Sequence, residues 1–270
     1  MAKLDRLGWA DGMSFTAYGV RVGVRVNDAA ILRELIARLP PGSQSSSAHR
    51  VDHLYSLTGF PTNSNGKVRR FNLGYWNLLR FSRSQSFDNL LDEFESHVQL
   101  TVAEYATRRV FVHAGVVGWN GRAILIPGAS YSGKTTLVEH LIRAGATYYS
   151  DEYAVLDERG RVHPYARPLG IRMSETARAT KIRAEEFGAQ VGSKPLPIDL
   201  VISTGFKAGA RWRPRKLTRG KGVLELLAHT VSARSQPELA LSVLPKALES
   251  ARIVKGVRGE ASEIVELILT

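Results

Sequence analysis

Hydrophobic and polar positions follow secondary-structure periods in the N-terminal part of the chain. YGVRVGVRV, residues 18–26, alternates in the way of a half-buried strand, and DAAILRELIARLPPG then predicts a helix with a proline–glycine stop. Residues 50–81 contain short apolar runs between turn signals such as PTNSNGK, which predict short strands. SFDNLLDEFESHVQLTVAEYATRR is an amphipathic helix that Ser86 can cap. Residues 1–95 are therefore expected to form an N-terminal α/β region.

A hairpin pattern begins at Val110. VFVHAGVVGW and RAILIPG read as two strands joined by Asn120-Gly121, a strong signal for a two-residue turn. If the turn is tight and free of bulges, His113 lies opposite Gly128, and a slip of one residue would turn this histidine to the other face. The sequence thus predicts that the strand entering the next loop has an antiparallel neighbour.

The segments after the hairpin are expected to form one second domain over residues 96–270. Lys134 to Ala144 predicts a helix that Gly145 ends, and ATYYSDEYAVLD is the next strand-like segment. RGKGVLELLAHTVSA, QPELALSVLPKALESA and GEASEIVELIL predict helices, so the tail from Leu217 onward is expected to be helical.

Composition changes this picture in two ways. The 270 residues are 44% hydrophobic and 23% charged, as in globular proteins, and contain no cysteine, which excludes disulfides and thiolate metal sites. No secretory leader and no membrane-spanning run is apparent, so a cytoplasmic protein without a membrane partner is expected.

The second change comes from the net charge of +12, which is concentrated in FKAGARWRPRKLTRGKG. Its residues 207–221, here called the basic segment, carry seven Lys and Arg residues and no acid. Three interpretations stay open: a solvated loop, a contact for phosphates or an acidic substrate, and a nucleic-acid surface. The last is the least favoured, because no nucleic-acid-binding motif accompanies the charge.

The main candidate for chemistry is GASYSGKT, residues 128–135, which fits G-x-x-x-x-G-K-[ST] between an apolar strand and a helix. Its glycines let backbone N–H groups surround an anion at the start of a helix. In such a loop Lys134 reaches the β- and γ-phosphates of a nucleotide and Thr135 binds Mg²⁺. The predicted nucleotide-binding residues are Gly128, Ala129, Ser130, Tyr131, Ser132, Gly133, Lys134, Thr135 and Thr136.

An acidic pair, Asp151-Glu152, follows only 17 residues beyond Lys134. Adjacent residues on an extended chain point to opposite sides, so both acids can reach one site in different roles. One can hold a metal while the other accepts a hydroxyl proton. The alternative is that both acids only cap a surface turn. His113 is equally open between a structural role and a phosphate contact or proton carrier.

The nested spacing of these motifs resembles that of the HPr kinase/phosphorylase family, whose catalytic domain shares a nucleotide-binding core with phosphoenolpyruvate carboxykinase. The matching segments are VHAGVV, GASYSGKTTL, SDEYAVLD and RPLGIR, which together span about 60 residues. The resemblance implies an α/β fold with a mixed-sheet P-loop kinase core, an N-terminal α/β half and a helical C-terminal tail. The tail is similar to that of stand-alone relatives, some of them associated with the biosynthesis of modified peptides.

The resemblance also implies roles for individual residues. His113 stands where the family has a histidine near the β-phosphate, and Lys134 and Thr135 match the loop lysine and the metal-side hydroxyl. Asp151 matches the general base, and Glu152 matches a metal-side aspartate. The family has serine at the position of Thr135 and a second aspartate at that of Glu152, and both replacements keep the chemistry.

Other departures concern the substrate. RPLGIR has Pro168 where the family generally has glycine, and its Arg167 and Arg172 are candidates to steady the transferred phosphoryl group. The phosphorylase segment and the N-terminal domain of the family have no match in this chain, so neither dephosphorylation nor HPr as the substrate is implied.

The expected function is that of an ATP- and Mg²⁺-dependent kinase that phosphorylates a serine-type hydroxyl on a peptide or protein, such as a biosynthetic precursor peptide. One alternative acceptor is a small hydroxylated metabolite, a sugar or a natural-product alcohol. Another alternative is a nucleotide-binding regulatory protein without transfer. A homo-oligomer is a further expectation, because the family often assembles into hexamers.

Overall fold

The computed structural model describes residues 2–48, 50–60, 70–129, 132–171 and 180–270. The chain is mixed α/β and divides into two units, Met1–Thr107 and Arg108–Thr270. The boundary predicted at residues 95 and 96 falls inside the helix Phe87–Tyr105. Because that helix is continuous and buries its apolar face in the first unit, the division lies beyond its end instead.

The first unit is a six-stranded sheet with two longer helices. Its elements are α1 Ala2–Asp5, β1 Asp11–Ala17, β2 Val20–Val26, α2 Ala29–Ile36, β3 Gln44–Ser46, β4 His53–Thr58, β5 Asn72–Trp76, β6 Leu79–Ser84 and α3 Phe87–Tyr105. The strand order is β3-β1-β2-β4-β5-β6. The predicted strand starts later than expected, because Tyr18 and Gly19 have positive φ and form the turn between β1 and β2.

The helices of the first unit begin where their capping residues predict. Asp28 accepts a hydrogen bond from the Ala30 N–H at the start of α2, and Ser86 accepts one from Asn89 at the start of α3. The apolar faces of both helices join one core with β1, β2 and β4. The capped amphipathic helices and the short strands over residues 50–81 are thus confirmed among the described residues.

The second unit contains an eight-stranded mixed sheet. Its elements are β7 Val110–Trp119, β8 Arg122–Pro127, α4 Lys134–Arg143, β9 Thr147–Ser150, β10 Tyr153–Leu156, β11 Val162–His163, β12 Leu169–Ile171, β13 Thr180–Ile182, β14 Ile198–Phe206, β15 Arg215–Lys216, α5 Arg219–Leu227, α6 Pro237–Ala247, β16 Arg252–Arg258 and α7 Val265–Leu269. The main order is β11-β10-β7-β8-β14-β16-β15, with β9 also paired to β7, while β12 and β13 form a separate pair.

The predicted hairpin register is confirmed. β7 and β8 pair from Trp119 with Arg122 to Ala114 with Pro127, and Asn120 and Gly121 take the positive φ of a two-residue turn. Beyond the last pair the Gly128 N–H donates to the His113 carbonyl at 3.2 Å. β8, β14 and β16 run parallel, so their carboxyl ends meet at one edge of the sheet, the usual place for a ligand site.

The C-terminal tail is only partly helical, which corrects the prediction. α5 and α6 form as expected, but β16 lies between β14 and β15 within the sheet. The segment RIVKGVR contains three β-branched residues, Ile253, Val254 and Val257, and this composition favours a strand. The final predicted helix is a 3₁₀ turn, Ala261–Glu263, followed by the short α7.

Each face of the second sheet carries a core. α4 and α7 pack on one face, and α5 and α6 pack on the other, so the loop between β8 and α4 stands at the edge between two rigid layers. Among the described residues, no helix combines the length and the hydropathy that crossing a bilayer requires.

Candidate functional site

The loop between β8 and α4 ends in a tight glycine turn at the start of the helix. Gly133 caps α4 with φ 81° and ψ 18°, a left-handed conformation that glycine adopts at no steric cost. A Cβ on Gly133 would lie 2.5 Å from Arg258 Nη2, and one on Gly128 would lie 2.7 Å from Ser132 Oγ. Gly133 is therefore required for its left-handed conformation, and both glycines are required because side chains approach them closely. The predicted contacts Ser130 and Tyr131 lie outside the described residues.

Lys134 directs its ammonium group into the loop. The side chain is buried, and Nζ donates to the carbonyl oxygens of Gly128 at 2.8 Å and Ala129 at 2.7 Å. Burial lowers the pKa of Lys134, and the charges of Glu152 and Asp151 oppose that shift. A cation thus stands in the concavity of the loop at the N-terminus of α4, where positive charge is already concentrated.

Asp151 lies beside the hydroxyl that follows the lysine. Thr135 Oγ1 donates to Asp151 Oδ2 at 3.2 Å, and the Tyr148 hydroxyl donates to Asp151 Oδ1 at 2.9 Å. Only 8% of Asp151 is exposed, and burial raises its pKa against the effect of the Tyr148 hydrogen bond. The acid is therefore part of the loop site and not a cap on a surface turn.

Glu152 points to a different partner. Its Oε1 lies 3.0 Å from His113 Nε2, and its side chain is 42% exposed. Burial would raise the pKa of Glu152, but the hydrogen bond and charge of His113, with the charges of Lys134 and Arg167, outweigh it and lower the pKa. The two adjacent acids thus occupy different surroundings, one enclosed with Thr135 and the other open beside His113.

The strands explain how two acids so close to the loop reach it. β9 and β10 both pair with β7, and Asp151 and Glu152 fill the break between them. The Glu152 carbonyl accepts a hydrogen bond from the Ala114 N–H at 3.1 Å, which holds the break against β7. Since β7 also pairs with β8, the hairpin brings His113 and the acids beside the phosphate loop. The predicted strand ATYYSDEYAVLD is therefore two strands with its acids between them.

Arg258 is a residue of the site that sequence reasoning missed. It ends β16, is 2% exposed, and donates from Nη2 to the Gly133 carbonyl at 2.8 Å. No carboxylate of the described residues forms an ion pair with it, although a buried arginine ordinarily has such a partner. The pairing of β16 with β14 places Arg258 beside the loop between β8 and α4, and this long-range pairing leaves no local signal in the sequence.

The remaining predicted residues are less informative. Thr136 is exposed, and its carbonyl oxygen contacts His140 Nδ1 at 2.8 Å. Arg167 acts through its charge on both acids, and its carbonyl oxygen accepts a hydrogen bond from the Tyr148 hydroxyl at 2.8 Å. Arg172 lies outside the described residues.

A cavity of about 570 Å³ adjoins the loop at the carboxyl ends of the parallel strands. Its walls include Gly128, Ala129 and Ser132 of the loop, and Arg213 and Arg215 of the basic segment. Both arginine side chains are exposed, so the basic segment is in part a solvated surface. Two of its cations nevertheless stand at the mouth of a ligand-sized space beside the candidate site.

The described groups fit a nucleotide with Mg²⁺ better than a metal ion alone. No set of three metal-binding side chains of the His, Cys, Asp or Glu type comes together in the part of the chain that is described. Mg²⁺ is commonly held by one or two carboxylates together with substrate phosphates, and Thr135 with Asp151 supplies the protein's share of such a set. Ser132 Oγ is buried without a partner among the described residues, which leaves a donor available at the loop.

Comparisons with known proteins complete the description. No family model matches the chain, and no curated protein matches it. The chain is similar to a solved structure described as the Hpr(Ser) kinase/phosphatase from Coxiella burnetii, with 16% identity and a TM-score of 0.33, over 59% of this chain and 91% of that one.

Proposed function

We propose that the protein is an ATP-dependent, Mg²⁺-requiring kinase that transfers the γ-phosphoryl group to a hydroxyl, in the cytoplasm. The observation that carries the proposal is the joint position of Lys134 and Asp151. The first places a buried ammonium inside a glycine-bounded loop, and the second places a carboxylate on the hydroxyl of Thr135. Phosphoryl transfer depends mainly on positioning and charge neutralisation, and this arrangement supplies both.

The contacts support roles for Asp151 and Glu152 that are the reverse of those implied by the family resemblance. Asp151 is enclosed with the Thr135 hydroxyl, so we assign it to the metal side of the site. Glu152 is partly exposed and pairs with His113, so we assign it as the proton acceptor. An acceptor hydroxyl can approach an exposed carboxylate, whereas the Thr135 and Tyr148 hydroxyls already occupy both oxygens of Asp151.

These residues account for the bond that forms, the bond that breaks and the proton that is released. The acceptor oxygen forms a bond to the γ-phosphorus as the bond between that phosphorus and the β,γ-bridging oxygen breaks, and ADP leaves. The hydroxyl proton passes to Glu152, whose carboxylate His113 orients. Lys134 stabilises the charge on the phosphate oxygens, and Mg²⁺, when bound, shares that task.

The test is a transfer assay with γ-labelled ATP. The wild type is expected to label an acceptor, and Lys134→Met is expected to reduce transfer by about 10³-fold, because a charge that neutralises the transferred group is lost. Lys221→Met removes an exposed lysine from α5 and should leave the rate unchanged. Peptides encoded beside the gene are the first acceptors to test, since the family resemblance implies a serine-type hydroxyl on a peptide or protein.

A different outcome would favour a regulatory protein. If the wild type binds Mg²⁺-ATP but neither transfers nor hydrolyses the γ-phosphate, the kinase proposal is wrong. A second candidate acceptor is a small hydroxylated metabolite. The cavity beside the loop favours it, because a volume of about 570 Å³ is in the range of small-ligand sites.

A further inference from the structure

The cavity beside the phosphate loop has an excess of positive charge. The described residues that line it include three cations, Arg213, Arg215 and Lys255, and one carboxylate, Glu225. Lys255 Nζ donates to Glu225 Oε1, and Ser203 Oγ donates to Glu225 Oε2 at 2.9 Å. The carboxylate is therefore occupied within the wall, and two positive charges are left uncompensated.

Glu225 is held in its charged form by these neighbours. Burial would raise its pKa, but the hydrogen bonds from Lys255 and Ser203 outweigh burial and lower it. The ion pair with Lys255 therefore persists at neutral pH. No hydrogen bond or ion pair connects the side chains of Arg213 and Arg215 to another described residue, so their charges face the cavity mouth.

The backbone of the basic segment fixes where these two arginines stand. The Lys207 N–H donates to the Arg258 carbonyl at 2.9 Å, and the Leu217 N–H donates to the Ile253 carbonyl at 2.9 Å. Between these anchors β15 pairs with β16, with Arg215 opposite Lys255. The backbone of the segment is thus attached to β16 at Lys207 and at Leu217, with Arg215 on β15 and Arg213 just before it.

A side chain from the same segment strengthens this attachment. Trp212 packs into the core on the α4 face, and a Cβ added to Gly256 would lie 3.0 Å from its ring. Residues two positions apart on extended backbone share a side, which agrees with Arg213 and Arg215 both lining the cavity. The backbone that carries the two exposed arginines is therefore held in place by the packing of Trp212.

The cavity is next to the reacting groups. Gly128 and Ala129, whose carbonyls hold Lys134, form part of its wall. His229 also lines it, and the His229 carbonyl accepts a hydrogen bond from the His113 N–H at 2.8 Å. A ligand in the cavity would therefore lie against the loop, and the backbone of His229 connects the cavity wall to β7.

The lining indicates an anion and not a nucleobase. No phenyl, phenol or indole ring is among the described residues that line the cavity, although such rings are the usual stacking partners of a base. Arginine pairs, in contrast, are the preferred partners of carboxylate and phosphate groups, which they bind through two parallel N–H donors.

We propose that this cavity binds the anionic group, a carboxylate or a phosphate, of a small hydroxylated acceptor, with Arg213 and Arg215 as its binding residues. The proposal rests on the kinase function proposed above and specifies its substrate class. The acceptor's anionic group binds the two arginines, and its hydroxyl faces the loop that holds the γ-phosphate.

The experiment measures binding of inorganic phosphate by calorimetry while a non-hydrolysable ATP analogue and Mg²⁺ saturate the loop. The wild type should bind phosphate under these conditions. The double variant Arg213→Gln/Arg215→Gln should bind it at least about tenfold more weakly, because charge-assisted hydrogen bonds are lost. The control Arg211→Gln/Lys216→Gln removes the same charge from the same segment but outside the cavity wall, and it should stay within about twofold of the wild type.

Four results would overturn the proposal. The first is that the saturated wild type binds no phosphate, and the second is that both double variants lose affinity equally. The third is that Arg213→Gln/Arg215→Gln weakens binding of the ATP analogue instead, which would assign the arginines to the nucleotide phosphates. Selective labelling of acidic peptides, with no labelling of glycerol 3-phosphate or glycerate, would reject a small acceptor.

The two proposals can fail separately. If the wild type does not bind the ATP analogue, the kinase function fails. Phosphate binding in the cavity can then still be measured with nucleotide-free Lys134→Met, in which the loop lysine is removed.

Discussion

The phosphate loop and the cationic cavity lie side by side in the second unit but differ in how their charges are satisfied. In the loop, Lys134 donates to two carbonyl groups and Asp151 accepts from two hydroxyls, so each charged group already has protein partners. In the cavity, Arg213 and Arg215 have no such partners among the described residues. The loop is a preorganised site, whereas the cavity leaves charge available to a ligand.

This difference predicts how substitutions should behave. A change in the loop site should reduce transfer to every acceptor by a similar factor, because positioned charges act on the phosphoryl group itself. A change in the cavity should raise the KM of an anionic acceptor and leave kcat unchanged. The reason is that the cavity contacts stabilise the bound substrate and the transition state equally.

The largest expected effect among the following changes is that of Glu152→Gln. If Glu152 accepts the hydroxyl proton, the amide should reduce kcat about 10²–10⁴-fold, and binding of Mg²⁺-ATP should stay within about twofold. Single-turnover kinetics and calorimetry measure the two quantities. Glu158→Gln, at an exposed acid paired with Arg108, is the matched control. Parental kcat in Glu152→Gln would rule out the assignment.

An intermediate effect is expected from a pair of variants on β16. Arg258→Met should reduce kcat by about 10–10²-fold with every acceptor, because the Gly133 carbonyl loses one of its two donors and the loop shifts. Lys255→Met should instead raise the KM of an anionic acceptor with little change in ATP binding. Steady-state kinetics with glycerol 3-phosphate and glycerol as test compounds separate the two patterns, and identical patterns would remove the distinction between loop and cavity.

The smallest effect is expected from Tyr148→Phe. The change removes the hydroxyl that donates to Asp151 Oδ1, at a cost of about 1 kcal/mol in the free energy of unfolding and a few-fold in kcat. Chemical denaturation measures the first quantity and single-turnover kinetics the second. A loss as large as that of Glu152→Gln would show that Tyr148 takes part in the chemistry.

The site at the loop between β8 and α4 could be predicted because the sequence features that define it are close together in the chain. The glycines, Lys134 and Thr135 are adjacent in the chain, and the tight turn at Asn120-Gly121 determines the register that brings His113 to the loop. The short interval to Asp151 predicts a carboxylate from the next strand, and Asp151, in the break between β9 and β10, accepts a hydrogen bond from Thr135.

The cavity could not be predicted because its walls are formed by strands that are distant in the sequence. Helical patterns on both sides of RIVKGVR predict a helical tail, whereas this segment forms β16, so the sequence does not show the environments of Arg258 and Lys255. The charge of the basic segment was visible, but its place depends on the pairing of β15 with β16. The different surroundings of Asp151 and Glu152 likewise depend on side chains from α4, β9 and β7. The positions of the two acids in the sequence do not reveal these contacts.

The most direct test of the account is the effect of Mg²⁺ on ATP binding by the wild type and by Asp151→Asn, measured by calorimetry with and without the metal. The account predicts that Mg²⁺ tightens binding to the wild type and that Asp151→Asn retains metal-free binding but loses most of this gain. An undiminished gain from Mg²⁺ in the variant would contradict the claim that Asp151 and Thr135 form the metal side of a nucleotide site.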